Sequence, residues 1–177
     1  MTSKAQIVPF DGKHNSVVAL LSDAGIDWDN VELAPASEEE RRAMAARIAQ
    51  RDAQAQTPAE LFGDDDAVGS GKDFVNKPFR LLDVDYQRSK LDRQPGSLPF
   101  YASLTVATPQ GEVRVVNCGS HSVVRKAAIA AKNGWTHDEK NPLWLQIVPV
   151  DLEGTSNKAL DLVAAPAPVA AGTSEAF

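Results

Sequence analysis

The sequence predicts a mainly β fold with a single helix set inside it. Five strands follow the order β-β-β-α-β-β, behind a small, partly helical N-terminal arm. Three observations carry this. Phe100, Ala102, Leu104 and Val106 alternate with Tyr101, Ser103, Thr105 and Ala107, the period of a strand with one buried face. Pro109-Gln110-Gly111-Glu112 then reads as a turn into the β-branched run Val113 to Cys118, which makes a hairpin. After Gly119 the period changes: Val123, Val124, Ala127, Ala128 and Ala131 share a helical stripe, with Arg125, Lys126 and Lys132 off it.

The other elements follow in order. Asn15 caps a short helix through Val17, Val18, Leu20 and Leu21, and Ile26, Trp28, Val31 and Leu33 make a satellite cluster. Ser37 and Glu40 have capping-box spacing, so a helix runs from about Glu38 to Ala55. Its apolar positions are mostly Ala, too little to hold it on a core, so it is exposed or docks on a partner. Residues 57–72, with Pro58, three Gly and Asp64-Asp65-Asp66, read as a linker; Leu61 and Phe62 beside the acids make an acidic-apolar patch. The main domain spans 73–163. Its first strand is Phe79 to Gln87, with Leu82, Val84 and Tyr86 on one face and Leu81, Asp83 and Asp85 on the other. Ser120 or Ser122 caps the inner helix and Gly134 ends it. Leu143 to Val148 and Lys158 to Val163 are the last two strands, and 164–177 is a disordered Ala/Pro tail.

Five strands with the helix between the third and fourth is the element order of an OB-fold, a small Greek-key barrel. An SH3-like or split-barrel sheet stays open. No apolar run approaches the roughly 18 residues of a membrane span. The first ten residues lack the apolar stretch of a signal peptide, and the lone Cys118 has no internal disulfide partner. These features predict a cytoplasmic protein without a membrane partner. The net charge of −6 is uneven: residues 1–71 carry 6 Lys/Arg against 13 Asp/Glu, whereas 72–163 carry 12 against 10. The arm is acidic and the domain mildly basic.

The sequence points to no enzyme, metal or cofactor. Gly69-Ser70-Gly71-Lys72 resembles the end of a phosphate loop, but Asp66 stands where Gly is needed and Asp73 where Ser or Thr is needed. Cys118 and His121 have metal-ligand spacing without a second pair, and Cys118 ends a strand pattern, where a buried thiol is expected. Asp64-Asp65-Asp66 lacks calcium-loop spacing. What remains is a surface suited to single-stranded nucleic acid, which needs cations along a groove and aromatic faces for stacking. Tyr101 on the second strand and Arg114 on the third are the central candidates. Arg88, Lys90 and Arg93 supply a basic loop beside them, Tyr86 a further ring, and Lys126 and Trp135 the outer side of the helix and its end.

The blocks GKDFVNKPFRLLDVDYQ and LPFYASLTVATPQGEVRVVNCGSHSVV, with the Ala-rich helix ending in Gly134-Trp135, resemble small proteins encoded by bacteriophages of actinobacteria. Some of these are taken to be OB-fold single-stranded-DNA-binding proteins. The resemblance covers roughly residues 71–148. It implies a DNA-coating role in replication or recombination, in the host cytoplasm, and assigns no binding residue. Ser174-Glu175-Ala176-Phe177 faintly resembles the acidic, Phe-ending tails by which bacterial single-strand binders recruit partners.

Single-stranded DNA binding without sequence readout is therefore the leading expectation. Replication or recombination proteins are expected at residues 1–72 or at the tail, and a homo-oligomer stays open. The alternative is a protein-interaction or virion component, with an OB-like scaffold and an acidic partner-binding arm. A third reading makes the arm an imitation of nucleic acid. The opposite charges also predict that the arm folds back over the basic face and competes with DNA.

Overall fold

A six-stranded curled sheet carries the molecule. The computed structural model describes residues 5–10, 14–22, 27–56, 68–89, 97–156 and 158–169. Two short strands, β1 (Gln6–Val8) and β2 (Val31–Leu33), pair in parallel on their own. The sheet proper contains β3 (Val68–Ser70), β4 (Phe79–Arg88), β5 (Phe100–Ala107), β6 (Val113–Cys118), β7 (Trp144–Asp151) and β8 (Lys158–Ala164). Their spatial order is β3-β6-β5-β4-β7-β8. Among the described residues three α-helices accompany them: α1 (His14–Ser22), α2 (Glu38–Gln54) and α3 (His121–Lys132). The fold is mainly β with helices, as expected, but the sheet has six strands where five were predicted.

The sixth strand comes from residues assigned to the linker. Val68, Gly69 and Ser70 pair in parallel with Val115, Val116 and Asn117. The chain then makes a 3-10 turn, Gly71–Phe74, bridges Val75 to Ile147, and donates the Asn76 N–H to the Ile147 carbonyl at 2.8 Å. Gly71 is buried there, where a Cβ would sit 3.0 Å from Cys118 Sγ and 3.3 Å from Leu160 Cδ1. Segment 68–76 thus threads between β6 on one side and β7–β8 on the other. The two ends of the sheet are brought together into a half-barrel. Three residues show no periodicity, so the sequence carried no signal for this strand.

A bulge sets the faces of β4. Leu81 pairs with Val106 and Asp83 with Thr105, leaving Leu82 as the extra residue. The core face is therefore Phe79 and Leu81 before the bulge, then Val84 and Tyr86 after it. This corrects the strict alternation predicted for the strand: Leu81 is fully buried, while Leu82 is only partly so. Along β5 the predicted core face holds, with Phe100, Ala102, Leu104 and Val106 buried, but Ser103 on the opposite face is buried too, at 5 % exposure. The Tyr86 and Phe100 rings meet edge-on at 6.0 Å between centroids.

α3 covers the core with Val123, Val124, Ala127 and Ala128. Ser120 occupies the N-cap position, but its hydroxyl donates to the Leu160 carbonyl instead of capping, and Ser122 donates to the Asp161 carboxylate. Lys126 Nζ reaches the same carboxylate at 2.8 Å and the Leu162 carbonyl at 3.0 Å. The N-cap residue and two side chains of α3 are thereby pinned to β8. Gly134, at φ 70°, reverses the chain after the helix as predicted.

The N-terminal residues are more than an arm. α1 packs on α3, and Val17, Val18 and Leu21 join Val8 and Val31 in the same buried cluster as the sheet. α2 matches its expectation: Ser37 and Glu40 form the capping box, and its described side chains beyond Glu40 are exposed. Its first turn is tied down where Arg88 Nε meets Glu40 Oε1 at 3.4 Å, with the guanidinium 5.0 Å over the Phe10 ring. Among the described residues no helix is long and apolar enough to cross a membrane.

Candidate nucleic-acid interface and an apolar groove

The outer face of the sheet follows from its register, because directly paired residues project to the same side. Tyr101, Ser103 and Thr105 of β5 face outward. Beside them stand Asn117, Val115 and Val113 of β6, since Ser103 pairs with Asn117, Thr105 with Val115 and Ala107 with Val113. Ser103 Oγ donates to Asn117 Oδ1 at 2.7 Å, and Tyr101 Oη donates to Gln87 Oε1 at 2.9 Å. The β5–β6 half of the face is thus uncharged: a ring, hydroxyls, an amide and two valines. The β4 half is acidic, with Asp83 opposite Thr105 and Asp85 opposite Ser103. At the far end Arg80 pairs with Trp144 on one side and Ala107 on the other. Arg80 Nε is buried and finds no hydrogen-bond partner among the described residues.

Among the described residues, Tyr101 is the one predicted binding residue that lies on this face. Arg114 pairs with Val106, a core residue, so it leaves the sheet on the opposite side. There it is exposed and bonded to Glu112 Oε2 at 2.9 Å. The grouping of Tyr101 with Arg114 is corrected: an odd number of positions along the hairpin separates the two faces. Tyr86 is core, 1 % exposed, and so has no face to offer a base. Burial, with the nearby Asp85 charge adding to it, pushes its phenol well above its usual range. Arg88 pairs with Phe100 on the core side and is engaged by Glu40 and Phe10. Lys90 and Arg93, like the Leu61-Phe62 patch and Asp64-Asp65-Asp66, lie outside the described residues.

Lys126 and Trp135 do come together, away from Tyr101. They line a groove of about 210 Å³ with Ile129, Ala130, Leu145 and Leu162. Lys126 is not a loose cation, since Asp161 and the Leu162 carbonyl hold it. Burial opposes charge on Asp161, but the bonds from Lys126, Ser122 and the Leu162 N–H outweigh it and leave the carboxyl below its usual range. Trp135 stays 51 % exposed although it adjoins an apolar lining.

Sequence reasoning missed the Arg80–Trp144 pair and the groove. The bulge at Leu82 inverts the face of Arg80, and no local pattern announces a bulge. The groove joins residues 126 to 162 across three elements, which periodicity does not report. Cys118, 4 % exposed, has its thiol raised by burial against a smaller lowering from a Ser120 backbone bond. It is therefore poorly placed for nucleophilic work. No cluster of three metal-ligating side chains exists among the described residues. What the outer face offers chemically is stacking and hydrogen bonding, and what the groove offers is apolar contact. Comparison with protein-family models, with curated proteins and with solved structures finds no match to this chain.

Proposed function

We propose that the protein binds single-stranded DNA, without reading its sequence, across the outer face of β5 and β6. The observation that carries the proposal is the spatial order β6-β5-β4-β7-β8 with α3 between β6 and β7 in the chain. That order agrees with an OB-fold, whose second and third strands accept oligonucleotides between the loops after the first and fourth. Fold alone does not assign function. The uncharged β5–β6 face adds support, because bases stack on rings such as Tyr101 and bond to groups such as Asn117, which the buried Ser103 hydroxyl holds in place. Asp83 and Asp85 repel phosphates, so the strand runs on the β6 side of them. Lys90 and Arg93, which follow β4 in the chain, are the nearest further cations in sequence. The setting implied by the phage resemblance, replication or recombination, belongs to the same proposal.

The test is fluorescence anisotropy with a labelled oligo-dT at low and moderate salt, with duplex DNA as control. Binding to the single strand alone, weakening with salt, is expected. Tyr101→Ala is expected to lose about 1–3 kcal/mol of it. Failure of the folded full chain to bind at low salt, or indifference to Tyr101→Ala, overturns the proposal. A second reading, a protein-interaction component on an OB-like scaffold, is favoured by the groove beside Trp135.

A further inference from the structure

We infer that the groove between α3 and the β7–β8 edge docks a short linear segment of a partner protein. One bulky apolar side chain of that segment enters the groove, and its carboxylates lie along α3. The inference is independent of DNA binding, since the groove and the Tyr101 face share no residue.

Size argues for a side chain. Small-molecule sites run to roughly 300–1,000 Å³, above the 210 Å³ found here. The lining argues for an apolar one. Ile129, Ala130, Leu145 and Leu162 give water few partners, so filling the groove releases poorly bonded water. Trp135 is half exposed on the rim, a residue type that dominates binding energy where a partner covers it. Its place is set by the reversal at Gly134 and by Thr136, which is 4 % exposed.

Charge argues for an acidic segment. α3 carries Arg125, Lys126 and Lys132 and no acid. Ile129 sits one turn after Arg125 and three residues before Lys132, so cations flank the apolar opening along the helix. Of two nearby carboxylates one is paired with a cation, and the other, bonded to neutral N–H groups, keeps its charge on the far side of Trp135 in the chain. Asp161 holds Lys126 and Ser122, and Asp138 accepts the Lys140 and Asn141 N–H groups at 3.0 and 3.1 Å. Glu139 remains exposed beyond Trp135. The apolar lining offers nothing to base edges, which favours a peptide over an oligonucleotide.

The probe is a fluorescein-labelled peptide, Asp-Asp-Leu-Phe-Asp-Asp, titrated with the full-length protein. Two control peptides replace every Asp by Asn, or Phe by Ala. Binding of the acidic peptide is expected, weakened about tenfold by Trp135→Ala, by Arg125→Glu and by either control change. Both substitutions fall at exposed positions, and circular dichroism verifies the fold. Absence of binding at millimolar protein, or equal binding by Trp135→Ala, overturns the inference. Equal binding of the Asn peptide overturns its acidic part. If Trp135→Ala instead loses oligo-dT and no peptide binds, the surface belongs to nucleic acid. If the full chain self-associates in sedimentation velocity and Trp135→Ala abolishes it, the occupant is a second copy. Either result overturns the partner proposed here.

Discussion

Asp161 shows how one carboxylate joins a helix to a strand. It accepts from Ser122 and Lys126 of α3 and from its own neighbour's N–H at 2.7 Å. Its carboxyl sits below the ordinary value of 3.8 because those bonds outweigh its burial. A depressed native value means the carboxylate stabilises the fold above the unfolded value, near 3.9. That contribution is lost as pH falls through the lower native value. Asp161→Asn is accordingly expected to cost about 1 kcal/mol near neutral pH, and the two proteins should converge as pH falls through the lowered native value. Urea denaturation at several pH values checks this, and a gap that persists at low pH refutes it. Cys118 makes a second residue-level case. With its thiol buried and raised, native protein at pH 8 is expected to react with a thiol reagent at least about tenfold more slowly than unfolded protein.

At the scale of elements, α2 and β4 show what a sequence does and does not disclose. The capping box of α2 was legible because it is local: Ser37 and Glu40 lie three residues apart and bond each other's backbone. Ser37→Ala is expected to cost about 1 kcal/mol of helix stability. Because the described side chains of α2 beyond Glu40 are exposed, the loss should appear as reduced far-UV helicity with little change in melting temperature. A fall of many degrees would mean that α2 braces the core. The strands β5 and β6 and helix α3 were equally legible from period alone. β4 was legible as a strand, but its faces were not, because Leu82 is inserted between two in-phase halves. The candidate site inherited that limit. Tyr101 was placed rightly by alternation within its own strand. Arg114 was misplaced because its face depends on pairing with Val106, a relation across the hairpin.

The whole molecule differs from a domain with an appended arm, and that difference can be tested. Composition divides the chain into an acidic N-terminal part and a mildly basic remainder, yet burial does not respect the boundary. Val17, Val18 and Leu21 are each at most 3 % exposed, and α1 lies against the α3 that covers the sheet. Each such side chain is worth about 1.5–3 kcal/mol when buried. Three together approach the roughly 5–15 kcal/mol by which a domain of this kind is stable, even after allowance for a compact unfolded state. Arg88 adds a further tie, since it holds Glu40 at the start of α2. Residues 72–163 alone would also lack β3, which pairs with β6 and leads into the Gly71 turn. This fragment is therefore expected to melt at least about 10 °C below the full chain, and to bind a hydrophobic dye through the uncovered α3. Thermal melts of the two proteins decide the matter. A fragment that melted within a few degrees of the full chain, without dye binding, would return residues 1–56 to the status of an arm. A destabilised fragment would mean that weak DNA binding by it says nothing about the β5–β6 face. Competition between the acidic region and DNA must then be measured in the full chain, through Glu40→Gln and the salt dependence of oligo-dT binding.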